Sequence, residues 1–209
     1  DPLPLEVPDR PNAVWSLDSM HDTLCSGRRF RTLSVLDEGV REVLDIEMDA
    51  SLPGELAVQI LYRLRMWRGL PKAIRCDNGP ELISQAMADW CDEHGGDHKY
   101  IEPGKPTQNA YIERFNRTYR EEVLDTCLFE DLDQVRELTY EWMQEYNRRR
   151  PHDALGGLPP SVYREMITRM CHSLECPCLF ETNIACWMRS DGYGVGIDVF
   201  AVPAWFGFS

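Results

Sequence analysis

AVWSLDSM, residues 13 to 20, alternates apolar and polar side chains, which is the period of a half-buried strand. That period sets Trp15 and Leu17 on one face and Ser16 and Asp18 on the other. Two more strand-like runs follow, FRTLSVLD (30 to 37) and REVLDIEM (41 to 48), and Glu38, Gly39 and Val40 between them suit a hairpin. Pro53 then opens a helix in which Leu56, Ile60, Leu61 and Leu64 recur at helical spacing, and Gly69 followed by Pro71 stops it. AIRC (73 to 76) reads as a short strand. DNGP (77 to 80) reads as a turn into a helix that carries Leu82, Ile83, Met87 and Trp90 and ends near Gly95.

Beyond it, Lys99 to Ile101 reads as a fifth strand, and PGKPTQ (103 to 108) is irregular because two prolines and a glycine interrupt it. A long helix starts at Asn109 with the apolar stripe Ile112, Phe115, Tyr119 and Val123. Asn109, Glu113 and Arg117 are spaced by four and share another face of it. Leu132, Val135, Trp142 and Tyr146 mark a further helix, closed by the arginine run 148 to 150 and by Pro151. Strands first, then strand and helix in alternation, make this an α/β chain: a mixed sheet with helices packed on its faces. Residues 1–12 read as an N-terminal linker, 13–168 as the core, and 169–209 as an irregular tail rich in cysteine and aromatics, with no period of 2 or 3.6.

The 209 residues carry an ordinary globular balance, 43% hydrophobic and 27% charged, which excludes a disordered chain. No apolar run reaches membrane-spanning length, and the opening DPLPLEVPDRPN has no basic region followed by an apolar one. Transmembrane and signal-peptide readings therefore fall away. Asp1 stands where an initiator Met is expected, which points to a fragment or a processed product. Eight cysteines are present. Cys25, Cys76, Cys91 and Cys127 are scattered in or beside apolar segments like buried free thiols, and the four in the tail lack the paired spacing of a zinc site, so a reduced, cytoplasmic setting is expected.

Lys and Arg total 22 against 35 Asp and Glu, a net charge of -13 that argues against general affinity for nucleic-acid phosphate. Any such role needs a local exception. One lies between Lys99 and Arg120, where Lys99, Lys105, Arg114, Arg117 and Arg120 outnumber Glu102 and Glu113; a second is the arginine run 148 to 150. The ordinary reading of both is solvated surface. Three acids stand out by position: Asp18 inside an apolar strand, Asp77 at the carboxyl end of another, and Glu113 in the long helix. A buried strand aspartate is costly unless paired or metal-bound, and the carboxyl end of a sheet strand is where open α/β sheets place their sites. Each also has a structural reading, Asp77 as a helix cap and Glu113 as a partner of Arg117.

The text around these acids is WSLD, then IRCDNGPE, then PGKPTQNAYIERFNRTYREE, with 35 residues between Asp77 and Glu113. It resembles the D,D-35-E catalytic core of bacterial insertion-sequence transposases and retroviral integrases. The nearest likeness is to the orfB-type catalytic subunit, running on through FEDLDQVRELTYEWMQEYNRRRPHDALGGLPPSVY. The resemblance covers about residues 10 to 165 and implies a ribonuclease H-like fold with a mixed five-stranded sheet flanked by helices. It implies that Asp18, Asp77 and Glu113 are the catalytic residues and hold two Mg2+ ions, with Mn2+ as a substitute. Hard ions prefer oxygen ligands, and a metal pair suits in-line phosphoryl transfer: water attacks in strand cleavage, and the freed 3'-OH in strand transfer.

The same resemblance implies DNA as partner, both element ends and target duplex, with Lys105, Asn109, Arg117 and Arg120 on the phosphates, a homo-oligomer on DNA, and a nucleoid-associated place in a bacterial cytoplasm. His152 matches the family text and is expected to be structural. The chain departs from the family in three places: no helix-turn-helix region stands before Val14, Gly39 and Val40 replace an aromatic and a Thr or Ser, and the tail after Tyr163 matches nothing in it. Two readings follow, an active transposase core or a truncated, non-catalytic remnant that folds and at most associates with DNA or a full-length relative. A hydrolytic nuclease of the same fold is a weaker third.

Overall fold

A computed structural model describes residues 8–77, 79, 82–94, 97–100 and 109–172. Strands β1 (Val14–Thr23), β2 (Arg29–Asp37) and β3 (Glu42–Asp49) come first, then helix α1 (Gly54–Arg68), strand β4 (Ala73–Cys76), helix α2 (Gln85–His94) and strand β5 (Asp97–Tyr100). Helices α3 (Ala110–Tyr119), α4 (Leu132–Arg148) and α5 (Pro160–His172) complete the order. The sheet order is β3-β2-β1-β4-β5. β1 pairs antiparallel with β2 and β2 with β3, whereas β1–β4 and β4–β5 are parallel. The mixed five-stranded sheet flanked by helices is the ribonuclease H-like α/β fold expected from the resemblance.

The alternation in AVWSLDSM is expressed as two cores. Trp15 and Leu17 join Ile74 and Cys76 beneath α1 and α2, with Ala57, Ile60, Leu61 and Leu64 along α1 and Met87 and Trp90 on α2. On the opposite face, Phe30, Leu36, Val43 and Met48 meet Ile112, Phe115, Tyr119 and Val123, closed by Val135 and Tyr146 of α4. All four residues of the expected stripe on the long helix are buried. Each large side chain so buried contributes about 1.5–3 kcal/mol. Tyr119 reaches across to Thr139 of α4 with an Oη–Oγ1 distance of 2.6 Å, so the phenol is not left unpaired in the core.

Local chemistry explains the boundaries. Pro53 precedes α1, and Gly69, at φ 91°, takes the left-handed turn that ends it. Asp131 caps α4 by accepting from the Gln134 N–H at 2.9 Å, while the Gln134 side chain accepts from the Glu130 N–H at 3.0 Å, a reciprocal cap. Asn147 at the end of α4 donates to the Val43 carbonyl at 2.7 Å and accepts from its N–H at 3.0 Å, so the outer edge of β3 is paired by a side chain. Behind the β2–β3 turn, Arg68 binds Asp37 at 2.8 Å and Glu42 at 2.9 Å, and Arg164 of α5 also binds Glu42 at 2.8 Å.

Several expectations need correction. The second helix begins at Gln85, not at the turn, because Leu82 and Ile83 donate to the Gly79 carbonyl and Ser84 accepts from Met87; Leu82 is buried but Ile83 is half exposed. The fifth strand lies at 97–100, two residues earlier than read. After Tyr119 the long helix widens into a π-helical turn, Arg120–Leu124, whose bond runs from Asp125 N–H to the Arg120 carbonyl. Helix α5 has no counterpart in the sequence reading and continues past residue 168 to His172. Cys76 and Cys91 are buried free thiols, but Cys25 and Cys127 are exposed, since Cys25 lies in a turn after β1 and Cys127 in irregular chain after the turn at 125–126. Residues 103–108 and the tail beyond 172 lie outside the described residues, as do Asn78 and Pro80 of the DNGP turn. No described helix is long and apolar enough to cross a membrane.

Candidate active site

The parallel β1–β4 pairing ends with Leu17 beside Cys76, so Asp18 and Asp77 are the next residues along two adjacent strands. Neighbouring strands lie about 4.8 Å apart, which brings two carboxylates close together on one side of the sheet. Helix α3 crosses that side. Its Asn116 amide donates to Asp18 Oδ2 at 2.9 Å, and Asp18 Oδ1 accepts from the Ser19 N–H at 2.9 Å. Glu113, one turn before Asn116 on α3, is exposed. The Asp18 carboxyl is pushed up to about 6, first by burial and then by the Asp77 charge, with a smaller push from Glu113; the Asn116 and Ser19 hydrogen bonds pull the other way. Both other expected acids therefore act electrostatically on Asp18. Among the described residues, however, no three His, Cys, Asp or Glu side chains are gathered closely enough to hold a metal ion.

Asp77 is not the helix cap of its structural reading, since α2 begins only at Gln85 and Ser84 accepts from its first turn. The Asp77 Oδ1 accepts from the Gly79 N–H at 3.0 Å, fastening the turn that leads to α2. Cys76, just before it, is kept a thiol by burial and by the Asp77 charge, which push it up to about 12.

A buried cluster of charge lies one strand period below the two aspartates. Ser16, two residues before Asp18, donates to the Glu38 carboxylate, and Arg75, two residues before Asp77, donates to both Glu38 oxygens at 2.8 and 2.7 Å. The Glu38 side chain is fully buried. Burial pushes Glu38 up, while Ser16 and Arg75 restrain it. Sequence reasoning did not single out this cluster, although the period of two carried a signal for Ser16 and Arg75. Asn116 was missed as well; its signal was its place three residues after Glu113 on a helix.

The residues expected on DNA are differently disposed. Arg117 is exposed on α3. Arg120 is held by the His21 carbonyl at 2.9 Å and by Asp22 and Asp125 at 3.4 and 3.6 Å. Asn109 is buried at the start of α3, with its Oδ1 unpartnered among the described residues. Lys105 lies outside the described residues. His152 packs edge-on against Tyr146, centroids 4.9 Å apart, and burial together with Arg150, Arg41 and Arg114 pushes it down to about 4, so it is a neutral ring in a packed layer at pH 7.

Two family models described as integrase core domain match residues 8–106 and 94–160. An uncharacterized 39.2 kDa protein of insertion element IS476 from Xanthomonas euvesicatoria is 43% identical over 153 residues, 73% of this chain and 44% of that protein. An uncharacterized 31.7 kDa protein of element IS407 from Burkholderia multivorans is 43% identical over 159 residues, 76% of this chain and 57% of that protein. The chain thus spans about half the length of these relatives. Among solved structures, a chain of the simian T-cell lymphotropic virus intasome superposes with TM-score 0.63 at 19% identity, covering 86% of this chain and 61% of that one. The HTLV-2 integrase catalytic core in complex with magnesium gives 0.61 at 17%, covering 75% and 99%. At such identity these two speak for the fold alone. In its mixed five-stranded sheet and in its two integrase core domain matches, which together run over residues 8–160, the chain matches the integrase and transposase catalytic-core superfamily in fold and in sequence.

Proposed function

We propose that this chain is the integrase-type core of an insertion-element transposase, of the orfB type, which as it stands folds and associates with DNA or with a full-length relative without carrying out strand transfer. The observation that carries this reading is the disposition of the acids. Asp18 is engaged by Asn116 and Ser19, Asp77 by the Gly79 turn, and no metal-holding group is assembled among the described residues. DNA as partner rests on the insertion-element relatives and on the intasome likeness.

A second reading, an active polynucleotidyl transferase, is favoured by one observation: Asp18 is pushed up to about 6 by burial and by both other acids, the crowding of negative charge that a divalent cation relieves. The donor set is chemically right for Mg2+, since all three are hard carboxylate oxygens. In that reading Asp18, Asp77 and Glu113 would hold the ions, and Mg2+ when bound would supply positive charge to the attacking and leaving oxygens of phosphoryl transfer. Asn116 would keep the Asp18 carboxylate turned toward the α3 side.

One experiment separates the two. Pre-cleaved ends of the IS407 and IS476 elements are mixed with the chain, target duplex and Mg2+ or Mn2+, and joined strands are resolved on a denaturing gel. DNA binding without joined product is the expected result. Joining that Asp77→Asn abolishes establishes the second reading instead.

A further inference from the structure

Several of the described arginines are occupied by acids: Arg68, Arg75 and Arg164 on the buried Asp37, Glu38 and Glu42, Arg63 on Asp45 and Glu47, Arg120 on Asp22 and Asp125. Arg41 and Arg114, like Arg28, Arg29, Arg65, Arg117 and Arg148, are outside these pairs, and they are the ones that border the aromatic layer of α3 and α4. Neither Arg41 nor Arg114 has a carboxylate within ion-pair distance among the described residues. Arg41 follows the β2–β3 turn in the left-handed region at φ 56°, and its guanidinium lies 3.5 Å over the Tyr111 ring while one nitrogen donates to the Glu38 carbonyl. The neighbouring Glu38 carboxylate is taken by Arg75 and Ser16. Arg114 is exposed three residues after Tyr111, on the same side of α3. Phe115 continues the contact to Tyr146 of α4 at 5.2 Å, and the Arg150 guanidinium lies 5.6 Å from the centre of the Tyr146 ring. Tyr146 and His152 each feel the charges of Arg150, Arg41 and Arg114, so three guanidiniums surround one aromatic layer.

We infer that Arg41, over the Tyr111 ring, and Arg114, one turn after Tyr111 on α3, with Arg150 beyond Tyr146, form a phosphodiester-binding track for the DNA backbone, distinct from the carboxylate group. Three steps support it. A net charge of -13 repels DNA over most of the surface, so contact must run through guanidiniums not already neutralised. Arg41 is held in place by its aromatic and carbonyl contacts, which lowers the ordering cost of binding a phosphate. Arg114 lies one residue, about 100°, round α3 from Glu113, and Arg117 is also exposed on that helix, so the track adjoins the acids without including them. Arg150, already paired with Glu122, is its weaker end.

The inference rests on the DNA-association reading above, and the test distinguishes the two. The full chain is titrated into a fluorescent random-sequence 25-mer duplex from 50 to 200 mM salt, and anisotropy gives Kd and its salt dependence. Losing a phosphate contact lowers the log–log salt slope by about 0.9. Arg114→Gln, on an exposed helix surface, is expected to lower it by about 1, and Arg41→Gln/Arg114→Gln by about 2, with Kd at 50 mM salt raised roughly tenfold or more. Arg169→Gln, whose guanidinium leans on Glu165, is the charge-matched control and keeps the parent slope. If the parent binds and Arg114→Gln keeps its slope, or Arg169→Gln loses as much, the track is refuted while the DNA reading stands. If the parent does not bind duplex at all, both fall. Unchanged far-ultraviolet circular dichroism of Arg114→Gln keeps the comparison valid should the double variant unfold.

Discussion

Replacing Arg75 by Met tests whether the charge cluster beneath the strand-end aspartates holds the sheet together. The Arg75 side chain is about 10% exposed and the Glu38 side chain not at all, and one guanidinium nitrogen spans both carboxylate oxygens. Methionine keeps the length and apolar stem but leaves the Glu38 charge buried with the Ser16 hydroxyl and the Arg41 charge, which makes no ion pair with it, to answer it. Removing one partner of a buried pair costs about 3–5 kcal/mol, because the surviving charge stays desolvated. For a domain of this size that is a fall in Tm on the order of 10 °C. The double variant Glu38→Leu/Arg75→Met removes both charges and is expected to recover most of the loss, since an apolar pair of similar volume often costs little.

The pH dependence has a definite sign. Glu38 already titrates above the ordinary carboxylate value because it is buried, and losing Arg75 raises it further. A raised carboxyl favours the folded state when protonated, so the Arg75→Met penalty is largest at neutral pH and shrinks as pH falls through the folded-state value toward about 4.5. Urea unfolding followed by tryptophan fluorescence reads this directly, with Trp15 and Trp90 buried in the same core. A single variant within about 1 kcal/mol of the parent at pH 7, or a double variant as unstable as the sum of the singles, refutes the reasoning.

Gly39→Ala is expected to cost about 1–3 kcal/mol or more, because a Cβ there would overlap the Arg10 carbonyl and the backbone must move; thermal melting checks it. Asn147→Ala, which strips both side-chain bonds from Val43, is expected to cost about 1–3 kcal/mol and to speed hydrogen exchange along β3. Asp18→Asn removes a carboxyl whose folded pKa is raised to about 6, so it should stabilise the fold by about 1 kcal/mol at pH 8 and not at all at pH 3.5; thermal melting at the two pH values checks it, and a variant less stable at pH 8 contradicts the burial and Asp77 repulsion that raise that carboxyl.

What the sequence disclosed and what it hid divide along physical lines. The period of two in AVWSLDSM placed Trp15 and Leu17 in one core and Asp18 on the α3 side because a strand has only two faces. The α3 stripe was legible for the same kind of reason, a wide apolar face at helical spacing. The start of α2 was not, because Leu82 and Ile83 are apolar and near a turn, and only the Ser84 cap separates turn from helix. The π-turn after Tyr119 leaves no mark in the pattern, since Val123 is buried in either geometry. Glu38, an acid in a hairpin turn, reads as solvated; its burial depends on Arg75, 37 positions away. The absence of a side chain at position 39, an apparent departure from the family pattern, follows from the passage of the Arg10 backbone over that turn.

The acidic composition takes on a different meaning once the partners are known. The formal charge counts every arginine equally, but a guanidinium clamped between two carboxylates presents little field to solvent. Arg68 and Arg75 are nearly buried with Asp37, Glu42 and Glu38, so those acids and bases cancel inside the fold and stitch α1, β4 and the β2–β3 turn together. Arg120, which by spacing alone shares the outlook of Arg117, is drawn back onto β1 by Asp22 and the His21 carbonyl. Arg114 and Arg117 remain exposed on α3, the helix that also carries Glu113. A polyanion approaching this face therefore meets positive charge close to the acids even though the chain as a whole is strongly negative. In the proposed DNA-binding reading, affinity rests on Arg114 and Arg41 and falls steeply with salt, and it does not track the total charge.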